Sequence, residues 1–501
     1  MIMMENKFNL VDEPWIPVAG VGLVSLAEIF SKPNLSALGG NSVQKIALTK
    51  LLLAIAQTAY TPQDDNDWES VGAYGMSKKA LAYLKDNKDL FFLYGEKPFL
   101  QMPAIVKAEV QSFGAVQSSI ASGNTTVLIQ SQVENELSEA EKAVLLIQMM
   151  GFGLGGKKTD NSVVLSPSYK RKNNDKGKPS TGKPGTAVGF LGLLHSFMQG
   201  ASLMETIWLN LLNKEDIKEL RVLPEGLGIA PWRKMPQGED CSTAKSLKNS
   251  YMGRLIPMSR FVLVVKTGMH YSEGIAHPGY SDGVVDASVA VDNSKIKPKV
   301  LWSDPAKKPW RQLVSLLSFM DSEKKGNYDC LQLRLGVKHV KQLKMKFGVW
   351  SGGLRVSSNA GEQYVSGSDD YVESEVQLNT EMFTKGTWFS MLTQEMDILD
   401  KFSKISYSAT MGYYKAQNAT GKEQAVYASN LFWQLCERKF QSLVNACDGV
   451  YGEKLKALRK VFAVFVDKAY NTYCPNDTAR QLDAWAAHKP DLSTYLFNKE
   501  G

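Results

Sequence analysis

The most suggestive motif of the sequence is a glycine-rich stretch, GFGLGGKK, at residues 151–158. Its first six residues match G-x-G-x-x-G, a dinucleotide-binding pattern that requires a strand before the glycines and a helix after them. Here a capping box formed by Ser138 and Glu141 predicts a helix before the glycines, and a polar stretch follows them. A helix C-cap would need only one glycine. Four glycines followed by two lysines favour a backbone that closely approaches a flat or anionic ligand, such as a nucleic acid.

Positive charge is concentrated directly after these glycines. The chain has 501 residues, with 58 lysines and arginines against 51 aspartates and glutamates, which gives a formal net charge of +7. Residues 157–183 hold eight basic residues and two acidic ones, so this window carries a charge of +6. Such a patch is the electrostatic footprint of a polyanionic partner. A solvated lysine-rich loop explains the charge equally well, and the charge alone leaves both interpretations open.

Acidic residues near position 370 could instead bind a metal ion. Asp369, Asp370, Glu373 and Glu375 offer the carboxylate oxygens that Mg²⁺ prefers. On a β-strand, however, residues 373 and 375 share one face while residue 370 lies on the other, so these side chains do not converge. This pattern favours solvated surface residues. A metal-dependent nucleic-acid-processing enzyme that uses the 369–375 acid cluster is the alternative function.

Other reactive residues form no catalytic or cofactor-binding arrangement in the sequence. A metal site could be suggested by His270, His277, Asp282 and Asp286, but they follow none of the common metal-ligand spacings. The pair His195–Ser196 lies in a stretch, 186–212, that we predict to be helical, outside any nucleophile elbow. The five cysteines are widely spread without a CxxC motif, which argues against disulfides and a cysteine zinc site. We therefore expect no enzymatic activity, no metal and no cofactor.

Hydrophobic periodicity divides the chain into a mixed part and a helical part. The length exceeds the roughly 250–300 residues that one hydrophobic core supports, so two domains are expected. The pattern predicts half-buried strands over 331–349 and a long hairpin over 351–376, whereas apolar residues after 378 follow a helical period. The predicted fold is α+β: a large mixed N-terminal domain, 1–378, is followed by a C-terminal four-helix bundle, 379–501, with helices near 383–416, 422–448, 452–473 and 477–497.

Nothing in the sequence suggests a membrane or an oxidising compartment. Apolar runs are shorter than the ~20 residues that span a bilayer. The N-terminus lacks the basic and apolar regions of a secretory signal. Together with the scattered cysteines, these features lead us to expect a cytoplasmic protein with no membrane partner.

The sequence resembles the large subunit, CasA, of the type I-E CRISPR surveillance complex Cascade. The order and spacing of several segments carry this resemblance over essentially the whole chain. These segments are NLVDEPWIPV at 9–18, GEKPFLQ at 95–101, the glycines at 151–156, Lys266 with His277-Pro278, the hairpin at Gly352-Gly353 and the C-terminal helices.

The resemblance implies a non-catalytic DNA-recognition subunit of an RNA-guided complex in a prokaryotic cytoplasm. Such subunits read the short protospacer-adjacent motif (PAM) of duplex DNA mainly from the minor groove, where readout is degenerate. They then start strand separation for R-loop formation, while the guide RNA reads the remaining sequence. The implied partners are double-stranded target DNA, the guide RNA, the backbone, small and 5′-end-binding subunits of Cascade, and a helicase–nuclease.

The resemblance also assigns roles to individual residues. A glycine loop, a lysine and a further loop would contact the PAM, a polar hairpin tip within 351–365 would separate the strands, and basic residues would hold the DNA backbone. The residues implied are Gly151, Gly153, Gly155, Gly156, Lys266, Leu128, Ile129 and Gln130 for the PAM, Asn359 and Gln363 for the wedge, and Lys157, Lys158, Lys170, Arg171 and Lys172 for the backbone. A Cys-rich zinc insertion found in some family members is absent.

Overall fold

A computed structural model describes most of the chain. The described residues are 6–117, 136–153, 160, 163–166, 172–173, 179–180, 192–220, 223–278, 286–292, 294, 296–320, 328–359, 362–364, 371–384, 386–447 and 452–496. Within these ranges, no helix combines the length and the apolar character needed to cross a membrane.

Helices and short strands alternate up to residue 379, and helices follow. The helices are α1 (Leu26–Ile29), α2 (Ser42–Ala59), α3 (Asp65–Asp86), α4 (Phe113–Val116), α5 (Glu139–Phe152), α6 (Leu203–Leu209), α7 (Lys214–Glu219), α8 (Ser242–Lys248), α9 (Met252–Leu255), α10 (Leu313–Leu316), α11 (Leu331–Val340), α12 (Glu381–Thr384), α13 (Trp388–Ala416), α14 (Lys422–Ala446), α15 (Gly452–Tyr473), α16 (Ala479–Ala487) and α17 (Ser493–Leu496). The strands are β1 (Lys7–Asn9), β2 (Ile16–Val18), β3 (Gly22–Val24), β4 (Phe92–Tyr94), β5 (Val110–Ser112), β6 (Lys172–Asn173), β7 (Pro179–Ser180), β8 (His195–Gln199), β9 (Arg260–Val265), β10 (Gly268–Glu273), β11 (Val291–Asp292), β12 (Lys299–Val300), β13 (Tyr328–Asp329), β14 (Lys346–Leu354), β15 (Ser357–Asn359), β16 (Glu362–Tyr364) and β17 (Tyr371–Asn379).

Helix α2 is the central element of the N-terminal part. Asn41 caps it: the Asn41 side chain accepts a hydrogen bond from the Gln44 N–H, and the Gln44 side chain accepts one from the Asn41 N–H. Most of α2 is buried, and it packs against α3, α5 and strand β14. A helix that is apolar on nearly all sides must be enclosed by other elements, and α2 is enclosed in this way.

Two antiparallel three-stranded sheets carry the residues discussed below. The main sheet has the order β17-β14-β8, and the second sheet has the order β5-β10-β9. Strands β14 and β17 pair from Lys346–Asn379 to Leu354–Tyr371, and the chain continues into the shorter pair β15–β16. The long hairpin predicted over 351–376 is therefore present among the described residues.

The C-terminal part is helical, as predicted. Helices α13, α14 and α15 are long and pack against one another, and each shows an apolar stripe of helical period. In place of the one helix predicted over 477–497, the structure has two shorter helices, α16 and α17. A segment that contains Pro490 separates them. Proline lacks an N–H and cannot continue the helical hydrogen-bond ladder, which accounts for the interruption.

Aromatic contacts join the main sheet region to the helices. The Trp310 ring lies 4.5 Å from the Phe440 ring and 5.9 Å from the Trp433 ring. The Arg311 guanidinium lies 3.8 Å from the centre of the Trp433 ring. One cluster of buried apolar residues runs across the predicted boundary at 378/379. The division into two domains at that point therefore stays a prediction.

Two of the predicted elements are wrong. Residues 331–340, predicted as strand, form helix α11. The apolar residues Leu331, Leu333, Leu335 and Val337 alternate as in a strand, but the exposed Arg334 and Lys338 are four positions apart, as on one face of a helix. Within 186–212, predicted as helix, residues 195–199 form strand β8 in the main sheet. Pairing with β14 decides the conformation there, because tertiary context overrides local propensity.

Two tryptophans join α3 to α6 through hydrogen bonds and ring stacking, and we expect this contact to contribute strongly to stability. The Trp68 indole N–H donates to the Trp208 carbonyl over 3.1 Å, the Trp208 indole N–H donates to the Trp68 carbonyl over 3.0 Å, and the rings stack at 4.1 Å. Trp68→Ala should lower the free energy of unfolding by about 3–5 kcal/mol, because Trp68 is fully buried. Urea denaturation measures this change. Tyr74→Ala, an exposed aromatic on the same helix, should stay within about 0.5 kcal/mol.

Candidate nucleic-acid interface

The glycine-rich stretch begins inside a helix. The predicted capping box is present: Ser138 accepts from the Glu141 N–H over 3.3 Å, and Glu141 accepts from the Ser138 N–H over 2.8 Å. Helix α5 runs on through Phe152, so Gly151 is a buried helical residue rather than part of a loop. The exit from the helix is therefore at Gly153, two residues later than the glycine pattern suggests.

Gly153 is required by packing. A Cβ atom at this position would lie 2.6 Å from the Tyr271 hydroxyl oxygen and 2.7 Å from the Arg260 Cγ atom. Gly153 is itself buried. Gly153 therefore contacts other residues of the protein rather than presenting its backbone to a ligand. Its contact with the second sheet determines where the chain leaves α5.

The chain returns to the same tyrosine at Asp160. The Asp160 N–H donates to the Tyr271 carbonyl over 3.0 Å, and the Asp160 carboxylate accepts from the Glu109 N–H over 2.8 Å. The segment 154–159 lies outside the described residues, and both residues that flank it contact Tyr271 of β10: Gly153 packs beside the hydroxyl, and Asp160 is hydrogen-bonded to the carbonyl. Gly155, Gly156, Lys157 and Lys158 belong to this segment.

A buried carboxylate holds the chain shortly afterwards. Glu239 accepts hydrogen bonds from the Leu165 N–H over 3.0 Å and from the Ser166 N–H over 2.8 Å. The Ser166 hydroxyl in turn accepts from the Asp240 N–H over 2.9 Å. Sequence reasoning missed Glu239, because its partners are backbone groups more than 70 positions away.

Lys266 lies in the turn of a hairpin. Lys266 and Thr267 connect β9 to β10, where Gly268 pairs with Val265, and both turn residues are exposed. Lys266 is therefore free of the sheet edge and accessible to a large partner. Arg260, which contacts Gly153, lies six residues away at the other end of β9, roughly 20 Å at the usual rise of a strand. The structure does not bring Gly153 and Lys266 together.

The predicted wedge residues lie at the far end of the long hairpin. Asn359 pairs with Glu362, and Ser358 pairs with Gln363. Asn359 is thus the last paired residue before the turn, and Gln363 is one pair further back. The register places both near the hairpin tip. The other predicted contacts, at Leu128, Ile129, Gln130, Lys170 and Arg171, lie outside the described residues, while Lys172 lies on strand β6.

The acidic residues near position 370 already have partners where the structure describes them. Glu373 and Glu375 lie on β17 two positions apart and are both exposed. The Lys45 ammonium lies 2.7 Å from the Glu373 carboxylate, and Glu375 accepts a hydrogen bond from the Gln377 side-chain amide. Asp369 and Asp370 are outside the described residues.

Comparison with known proteins identifies the family. The family model of the CRISPR-associated protein Cse1 matches residues 9–468. The chain belongs to the Cse1 family. A CasA/Cse1 protein of Thermus thermophilus is 31% identical over 168 residues, which are 30% of this chain and 32% of that protein. The matched stretch thus spans about a third of that curated relative.

Solved Cse1 structures share the fold over nearly the whole chain. Thermobifida fusca Cse1 superposes with a TM-score of 0.74 at 19% identity, covering 97% of this chain and 98% of that one. Thermus thermophilus CasA gives 0.70 at 18% identity, covering 98% and 99%. A chain of a CRISPR RNA-guided surveillance complex gives 0.68 at 14% identity, covering 96% and 98%. These similarities confirm the α+β fold with a C-terminal helical region.

A buried ion pair joins helix α2 to Asp286. Lys50, 3% exposed on helix α2, contacts the carboxylate of Asp286, which is 2% exposed. The Ser288 hydroxyl donates to Asp286 over 2.7 Å and accepts from the His195 Nδ1 over 2.8 Å. Burial raises the pKa of Asp286, but the Lys50 ammonium, His195 and the Ser288 hydroxyl together lower it further, so that it lies below its ordinary value. His195 therefore belongs, through Ser288, to the hydrogen-bonded surroundings of a buried ion pair.

His277 is buried in the same region. The Arg254 guanidinium donates to the His277 Nδ1 over 3.0 Å, and the His277 Nε2 donates to the Pro257 carbonyl over 2.7 Å. The Lys50 ammonium donates to the Arg254 carbonyl over 3.0 Å. Burial, together with the adjacent Arg254 cation, lowers the pKa of His277 to about 3. A neutral imidazole with both nitrogens engaged is a structural residue rather than a metal ligand.

One group of the described residues has metal-ligand spacing. Ligand atoms of Asp65, Asp216 and His339 lie within 4.8 Å of one another. The Lys338 ammonium, however, lies 3.1 Å from Asp216 and 3.4 Å from Asp65, and the His339 Nε2 lies 2.7 Å from Asp216. The lysine already supplies the positive charge that a metal would bring, so we interpret this group as a structural ion cluster.

The two buried histidines predict acid destabilisation. Burial also lowers the pKa of His195 to about 3, from an ordinary value of 6.5. Below about pH 6.5 both histidines bind a proton in the unfolded chain but stay neutral in the folded chain. Their contribution to the free energy of unfolding should therefore be fully present above about pH 6.5 and should be lost as the pH decreases towards 3. Urea midpoints at pH 7.5, 6.0 and 5.0 measure the slope. The double variant His195→Gln, His277→Gln should show a shallower slope; an unchanged slope would contradict the assignment.

Proposed function

We propose that this Cse1 chain is the non-catalytic subunit through which an RNA-guided complex recognises duplex DNA. It reads a short motif, the PAM, from the minor groove and starts the strand separation that leads to R-loop formation. The observation that carries this proposal is that both residues flanking the segment 154–159 contact Tyr271: Gly153 packs beside its hydroxyl, and Asp160 is hydrogen-bonded to its carbonyl. A segment of two glycines and two lysines, fixed at both ends, suits a narrow anionic groove.

The distribution of charge supports DNA as the partner. The window 157–183 carries six of the seven excess positive charges. Lys157, Lys158, Lys170, Arg171 and Lys172 are proposed to contact phosphates, which would position the duplex without reading its sequence. Contacts of this kind weaken steeply with salt. Leu128, Ile129 and Gln130 are proposed to complete the contact to the PAM.

The remaining partners are proposed on the basis of the family. A chain with the same fold occurs in a CRISPR RNA-guided surveillance complex. We propose that this chain likewise assembles with guide RNA and the backbone, small and 5′-end-binding subunits of Cascade, and that it helps to recruit the helicase–nuclease. The pairing of Glu373 with Lys45 supports a non-catalytic role over the alternative of a metal-dependent enzyme, because it occupies one of the carboxylates which that enzyme would need.

The lysine of the β9–β10 turn provides the test of PAM reading. Lys266→Ala in the reconstituted complex should weaken binding to a PAM-containing duplex by about tenfold, since one charge-assisted contact is worth at least 1.4 kcal/mol. Electrophoretic shift against a duplex library with a randomised PAM measures both affinity and preference. The control Lys85→Ala removes an exposed lysine of α3. Unchanged affinity and preference in the combined variant Lys266→Ala, Gly156→Asp would rule out this site.

The hairpin tip provides a separate test of strand separation. Gln363→Ala should slow R-loop formation and leave initial duplex binding intact, because a wedge acts after the motif has been read and offsets an unstacking cost of a few kcal/mol. Permanganate reactivity of thymines beside the PAM measures opening, and a pre-opened bubble substrate should restore the rate. Loss of duplex binding together with opening would instead show that Gln363 serves recognition. Ser357→Ala, at the base of the same strand pair, is the matched control.

A further inference from the structure

A cleft lies between the main sheet and helices α2 and α6. Its volume is about 280 Å³. Apolar residues of the sheet and of α6 form its interior, and charged residues stand at its rim. The residues used below are Lys45, Phe197, Leu203, Trp350, Glu373 and Glu375, and we call this site the acidic cleft.

A row of three side chains crosses the sheet inside the acidic cleft. The register places Trp350 of β14 opposite Glu375 of β17 on one side and opposite Phe197 of β8 on the other. The Trp350 and Phe197 rings are stacked at 6.3 Å with planes 30° apart. Phe197 is buried, whereas Trp350 is partly exposed. A carboxylate, a reachable indole and an apolar wall are thus adjacent.

A glycine makes room for the indole. A Cβ atom at Gly352 would lie 2.6 Å from the outermost carbon of the Trp350 ring. The ring therefore extends along its own strand over a position that has no side chain. The position of the indole is consequently fixed by the backbone beneath it, and it forms a preorganised surface within the cleft.

The charges at the rim select a cation. Lys45 lies 2.7 Å from Glu373, so the chain itself already places one ammonium group here. Glu375 is bound by the amide of Gln377, and no lysine or arginine of the described residues lies within ion-pair distance of it. Because Lys45 neutralises Glu373, the rim carries one net negative charge, that of Glu375, and this charge disfavours a phosphate at the site despite the positive charge of the whole chain.

We propose that the acidic cleft binds an arginine side chain presented by a partner protein. The guanidinium would stack on Trp350 and donate to Glu375, and its methylene groups would pack against Phe197 and Leu203. Arginine fits better than lysine, because its planar group stacks on an aromatic ring and donates to a carboxylate at the same time. This inference does not depend on the proposed reading of DNA.

The test uses the full chain labelled with 5-fluorotryptophan. Its ten tryptophans give ¹⁹F signals, and the Trp350 signal is identified by its loss in Trp350→Phe. Acetyl-Gly-Arg-Gly-amide should shift this signal saturably, and the citrulline analogue, which has nearly the same shape without the charge, should not. Glu375→Gln should weaken the peptide by about tenfold, as expected for one charge-assisted hydrogen bond. Glu381→Gln, a carboxylate outside the row, should leave its affinity unchanged.

Three results would overturn the proposal. The citrulline peptide could shift the Trp350 signal as strongly as the arginine peptide, Glu375→Gln could bind as well as the parent chain, or an oligothymidylate could bind at this signal more tightly than the peptide. Unshifted signals from the other tryptophans show that each variant is folded. The absence of any change in the Trp350 chemical shift at the highest soluble concentration of the arginine peptide would also contradict the proposal.

Discussion

A buried charge that must be paired organises the centre of this protein. Lys50 lies in the middle of the apolar, largely buried helix α2, where an unpaired ammonium would be very costly. Asp286 neutralises it, and the Arg254 carbonyl accepts a further hydrogen bond. From these two contacts the network reaches His195 in the main sheet and His277 just after the second sheet. Breaking one partner of such a pair leaves the other charge buried, so the elements are constrained together.

The same centre positions the proposed interface. Phe152, the last residue of α5, lies with its ring 6.0 Å from the Lys50 ammonium and edge-on to His195 at 5.4 Å. The next residue, Gly153, meets Tyr271 of the second sheet. The glycine-rich stretch therefore starts from a point that α2, β8 and β10 determine together. The exit from α5, from which the proposed contact segment continues, is therefore packed against three elements.

Sequence patterns predicted the features that local physics decides. The capping box at Ser138 and the three long C-terminal helices depend on neighbours within a few positions, the long hairpin depends on two strands that follow each other in this part of the chain, and all are present. The features that sequence patterns missed depend on partners that are far apart in the sequence. Strand β8 exists because it pairs with β14, and the Lys50–Asp286 pair joins residues 236 positions apart. An isolated sequence offers no signal for such a partner beyond a lysine that interrupts an apolar helix.

Because the chain returns to Tyr271 at Asp160, the stability of the surrounding fold should depend little on which residues lie between Gly153 and Asp160. The entropic cost of closing a loop grows slowly with length, by about 0.6 kcal/mol for each doubling. Residues can therefore be inserted, deleted or exchanged between Gly153 and Asp160 while the tyrosine still joins the two ends. If the segment contacts DNA as proposed, its residues can change in evolution while the framework stays the same, which is an advantage where the targets themselves evolve to escape recognition.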